Sequence, residues 1–121
     1  MWVLVKLGGF SKCQCELLAA SSSKSKLEEE TQRIIKENEF NRIISEEIYE
    51  LSNRLTSTQP FTLPKPSDPK QIVEWQSFGF WHDNQLKEQA RREVLTKYGK
   101  TQQDPFDYNL KLDIWETKEL K

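Results

Sequence analysis

The sequence predicts an α+β fold: a small antiparallel sheet, made of an N-terminal hairpin and a C-terminal strand, with three to four helices packed on one face. Three observations predict it. Residues 2–7 (WVLVKL) are β-branched and aromatic and run straight into Gly8-Gly9. Near the other end Tyr108, Leu110, Leu112 and Ile114 alternate with Asn109, Lys111, Asp113 and Trp115, a period of two. Between them apolar residues recur every three to four positions over long stretches, the period of a helix.

Taken in order, residues 2–7 form the first strand, Gly8-Gly9 the turn signal, and Cys13 to Ala19 the returning strand. Ser21-Ser22-Ser23-Lys24-Ser25 is a cluster of cap and turn formers. Ser25-Lys26-Leu27-Glu28 fits a capping box, in which the serine accepts from the third backbone amide and Glu28 reaches back. Leu27, Ile34 and Ile35 carry the helical pattern until it falters at Lys36-Glu37-Asn38-Glu39. It resumes as Phe40, Ile43, Ile44, Ile48, Leu51 and Leu55. One helix over all of this is long for so small a chain, so the pattern predicts two helices bent near Asn38–Asn41.

About residues 56–70 (TSTQPFTLPKPSDPK) hold four of the five prolines and read as a stiff internal connector. They lack the basic residue in register that a polyproline ligand for an SH3-like partner carries. Ser67-Asp68-Pro69 is a cap followed by proline at the first helical position. Residues 74–81 are ambiguous. Alternation places Gln76, Phe78, Phe80 and His82 on one face of a strand, and Gly79 argues against an unbroken helix. Asp83 or Asn84 then caps a helix with Leu86, Ala90 and Val94 in one row, and Gly99 ends it.

Pieces at the two ends and at the first helix start, WVLVKL, SSSKSKLEEE and YNLKLDIWE, resemble small uncharacterised bacterial and phage domains. Those domains open with a strand hairpin, insert helices and close on an acidic-aromatic strand. The resemblance implies a fold and brings no activity with it.

With 121 residues the chain suits a single domain, 1–121, and 36% hydrophobic against 31% charged residues makes a lean one. Four Trp, six Phe and three Tyr offset this, since each ring buries a large area in one step. A net charge of −1 supplies no field for bulk nucleic acid or anionic lipid. The four-residue apolar start closed by Lys6 is too short for a signal peptide, and no stretch suits a membrane span, so the expected location is the cytoplasm. Cys13 and Cys15 flank Gln14 at a spacing that strains a disulfide, and no further ligands complete a metal site, so they read as thiols in a reducing compartment.

No phosphate loop, zinc framework or nucleophile elbow is present. The one histidine sits in Trp81-His82-Asp83, and sequence neighbours rarely share the geometry of a base and its orienting carboxylate. No catalytic residue and no cofactor are therefore expected. The richest cluster is Trp75, Phe78, Phe80 and Trp81, with Arg91 and Arg92 on the following helix. These rings read first as the core of a lean domain, second as an exposed partner or self-association patch. Third, rings and guanidinium groups together suit a small nucleotide-like ligand. Ile44, Ile48 and Leu51 offer an apolar helix stripe for an oligomer interface. The functional expectation is a non-enzymatic interaction or regulatory module, a homodimer or a partner of another protein. Sequestering or sensing of a nucleotide-like ligand is the alternative.

Overall fold

The computed structural model describes residues 1–8 and 15–117. Its elements run β1 (Trp2–Leu7), β2 (Cys15–Ser21), α1 (Lys24–Thr58), α2 (Pro69–Lys97) and β3 (Lys111–Glu116). The class is α+β. The three strands form one antiparallel sheet of order β2-β1-β3, which places the most apolar strand in the centre. β2 runs on to Ser21, two residues past the expected end at Ala19, and the expected strand residue Cys13 lies outside the described residues. β3 begins at Lys111, after a turn at Tyr108-Asn109.

Two helices replace the expected three to four. α1 passes through Lys36–Asn41 without interruption, because that stretch is polar yet holds neither glycine nor proline. Arg33 pairs with both Glu30 and Glu37, and Arg42 with Glu39, ion pairs three and four residues apart that support an exposed helix face. α1 also starts earlier than the capping box implied. Ser23 precedes its first residue, and the Ser23 hydroxyl lies 3.0 Å from that of Ser25. α2 runs unbroken through 74–81, and Asp83 and Asn84 lie inside it instead of capping it. Its N-terminus follows the sequence: Asp68 accepts from the Lys70 amide at 2.9 Å and Pro69 opens the first turn. Gly99, with φ of 67°, follows the C-cap residue Tyr98.

The chain gathers into two compact units, 1–42 with 105–121, and 43–104. In the first, the central strand supplies Leu4 and Val5 to the interior and α1 supplies Leu27. Neighbouring residues on a strand face opposite sides of the sheet, and Leu4 and Val5 are both buried. The pairing slips between Leu4, opposite Ala19, and Val5, opposite Leu17, leaving Leu18 as an extra residue on β2. Lys24 sits over the Trp2 ring at 5.0 Å. Asn38 donates to the Asp107 carbonyl at 2.9 Å and accepts from the Asp107 amide at 2.8 Å, while Lys6 pairs with the Asp107 carboxylate at 2.7 Å. The polar interruption in α1 is thus what ties down the approach to β3.

In the second unit Ile44 and Ile48 of α1 close on Val94 and Leu95 of α2, with Leu51 and Tyr98 packed against them. Leu86 and Ala90 extend the buried row. Every buried apolar residue among those described is aliphatic. The expectation that the large rings form the core is therefore corrected: aliphatic side chains of β1, α1 and α2 fill it, and no ring among the described residues is fully buried.

Candidate functional site

The aromatic segment sits on the first half of α2, where helical geometry separates what strand alternation would have collected. Successive residues turn by about 100° on a helix, so Phe78 and Phe80 point to nearly opposite sides and His82 lies beside Phe78's side. Three positions, Trp75, Gly79 and His82, fall in one row and hold the proline connector. Trp75 Nε1 donates to the Leu63 carbonyl at 2.8 Å. The Phe61 ring lies over Gly79, where a Cβ would meet its edge at 3.2 Å. Phe61 also packs against the Trp75 and His82 rings, with centroids 6.1 and 5.9 Å away. His82 Nε2 is 2.7 Å from the Gln59 carbonyl.

The row works because two repeats match. Connector residues 59, 61 and 63 are met by helix residues 82, 79 and 75, in antiparallel order. An extended chain advances roughly 6–7 Å per two residues, and a helix roughly 5–6 Å per turn. His82 is accordingly a fastener of the connector. Its ring meets a backbone carbonyl, and the neighbouring Asp83 projects a further 100° or so around the helix.

Beyond this row the rings are open. Val73 is 68% exposed, Phe80 70%, Trp81 63% and Phe78 49%. Leu63, Pro64 and Pro66 of the connector, with Gln71, Glu74, Trp75 and Phe78, line a shallow cavity of about 390 Å3. The two arginines do not converge on the rings. Arg91 lies eleven residues beyond Phe80, and Arg92 eleven beyond Trp81, roughly 16 Å along the same helix. Arg91 instead pairs with Glu88 at 2.9 Å. The aromatic-plus-arginine cluster is therefore a product of sequence proximity, and α2 pulls it apart. Ile44 and Ile48, expected at an oligomer interface, are 2% and 8% exposed, and Leu51 packs beside them on the seam between α1 and α2. That seam lies within the chain.

Sequence reasoning missed Phe61, Leu63 and Gly79 as parts of this region. The signal was present: Phe61 is the one ring inside the connector, and Gly79 sits four residues after Trp75 and three before His82. On the electrostatic side, Tyr98 donates to Glu47, and Lys97 donates to the same carboxylate at 3.1 Å. These two donors, the phenol first, hold the Glu47 carboxyl below the usual carboxylate range. The same bond pushes the Tyr98 phenol up.

Comparison with protein-family models, with curated proteins and with solved structures finds no match for the chain. No helix among the described residues is long and apolar enough to cross a membrane.

Proposed function

We propose that the chain is a non-enzymatic interaction module that works in the cytoplasm as a homodimer, joined through the outward stripe of α2. The observation that carries this reading is the exposure of Val73, Phe80 and Trp81 side by side on one helix. A helix that is apolar well beyond its core-facing stripe is a helix that packs against something more. Val73, Ser77, Phe80, Trp81 and Asn84 make an uncharged stripe, bounded by Lys70 at one end and Glu88 at the other. In an antiparallel two-fold pairing centred near Phe80, each Lys70 meets Glu88 of the second copy and no like charges face each other. The exposed free thiol of Cys15 suits a reducing compartment.

Sedimentation equilibrium tests the reading. Wild type is expected to dimerise with concentration, and the double variant Phe80→Ser, Trp81→Ser to stay monomeric with unchanged helicity. Lys70→Glu should weaken the dimer about threefold, and adding Glu88→Lys should restore it. A wild-type chain that stays monomeric at millimolar concentration would sink the proposal.

A further inference from the structure

The two outer edges of the sheet are not alike. β2 carries the bulge at Leu18, which breaks the even row of backbone groups that a further strand needs. β3 pairs with β1 residue for residue, from Trp2 opposite Glu116 to Leu7 opposite Lys111. Its far side is therefore a regular edge, and no strand covers it among the described residues. One bond shows which groups stand on that edge. The Thr117 amide donates to the Met1 carbonyl at 2.8 Å, and this pair continues the β1–β3 register. Hydrogen-bonded pairs alternate along an antiparallel ladder, so Asp113 and Trp115 turn their backbone groups to β1. Leu112, Ile114 and Glu116 turn theirs outward.

The Ile114 amide, in the middle of that outward row, is already taken. It donates to Asp113 Oδ1 at 2.9 Å, and Trp115 Nε1 donates to Oδ2 of the same carboxylate at 2.9 Å, which pins it in place. We infer that Asp113 guards β3: its carboxylate is an inhibitory contact that keeps the strand from pairing with β3 of a second copy. A second copy is the occupant the edge fits, because β3 run antiparallel to itself sets Leu112 opposite Ile114 twice. The same register sets Asp113 opposite Asp113 in a non-hydrogen-bonded pair, where side chains come closest and like charges repel. The carboxylate thus blocks the edge twice, by filling its central donor and by its charge. β3 and the outward stripe of α2 belong to different units, so this contact and the α2 dimer stand or fall separately.

Amide hydrogen exchange by NMR, with sedimentation velocity, tests the guard on the full chain carrying Phe80→Ser and Trp81→Ser, so that the α2 stripe adds no association. With Asp113 in place the chain should stay monomeric. Its Ile114 amide should exchange about fivefold more slowly than those of Leu112 and Glu116, each taken relative to its unfolded rate. Asp113→Ala should erase that difference in dilute solution. At higher concentration its mass should rise toward a dimer while the Leu112 and Ile114 amides become protected. Equal exchange at the three positions with Asp113 in place would overturn the guard, whether or not the alanine variant folds. So would a folded Asp113→Ala chain that stays monomeric at millimolar concentration, or one that associates with both amides still open.

Discussion

Tyr98 and Glu47 show how much one pair of side chains contributes to holding the C-terminal end of α2 on α1 within their unit. The phenol donates to the carboxylate, so the pair needs Glu47 ionised and Tyr98 protonated at once. A carboxyl held below its ordinary range favours the fold only while ionised. Its contribution is complete above the ordinary glutamate pKa of about 4.3 and is lost as pH falls through the lower, folded-state value. A phenol pushed up favours the fold while protonated, so its contribution is complete below about 10 and is lost as pH rises beyond that. Tyr98→Phe removes the phenol's contribution outright and leaves Lys97 as the remaining donor that holds the Glu47 carboxyl down. Thermal unfolding followed by circular dichroism should show a midpoint lower by about 2–4 °C at pH 7. The variant should also lose less stability between pH 7 and pH 3 than wild type does. An unchanged pH profile would mean that Lys97 alone sets the Glu47 ionisation. Nothing in the sequence marked this pair, because the two residues are fifty-one positions apart and neither belongs to a motif.

At the scale of elements, the sequence made the strands and helix ends legible and the helix interiors less so. β1 was readable from WVLVKL, β3 from strict alternation, and the α2 start from Asp68-Pro69, because those signals are local. The breaks expected inside α1 and α2 rested on local signals too, a polar run and a glycine, and both are answered by partners distant in sequence. Asn38 in the polar run clamps Asp107, and Gly79 receives Phe61. The candidate site failed to be legible for a related reason. Six residues close in sequence look like a cluster, but at 1.5 Å rise and 100° per residue a helix disperses them. Gly79 gives the sharpest check. Alanine there gains about 1 kcal/mol of helix propensity but sets a Cβ 3.2 Å from the Phe61 ring, which must give by a few tenths of an ångström and so offsets the gain. Gly79→Ala should therefore change stability by less than about 1 kcal/mol. Gly79→Leu should unseat Phe61, and the Trp75 indole N–H should lose its protection from solvent exchange by NMR while α2 stays helical. Persistent protection in Gly79→Leu would show that the connector is held without the Phe61 contact.

The molecule as a whole keeps two separate sets of buried residues rather than the ring-centred core its composition suggested. Leu4, Val5 and Leu27 serve the sheet unit; Ile44, Ile48, Leu86, Ala90, Val94 and Leu95 serve the helical unit. α1 belongs to both, since the boundary at Arg42 and Ile43 falls inside it. Helical hydrogen bonds couple residues only four apart, so a loss of packing at one end of a long helix need not reach the other. Leu4 is 0% exposed and Ile44 2%, and truncating either to alanine should cost about 2–4 kcal/mol where it acts. Amide hydrogen exchange separates the consequences. Leu4→Ala should raise exchange in β1, β3 and the N-terminal half of α1 while α2 between Leu86 and Leu95 keeps wild-type rates. Ile44→Ala should do the reverse, loosening α2 and sparing the sheet. If either variant speeds exchange equally throughout, the two sets of buried residues unfold as one cooperative body, and the long helix transmits what its local bonds alone would not.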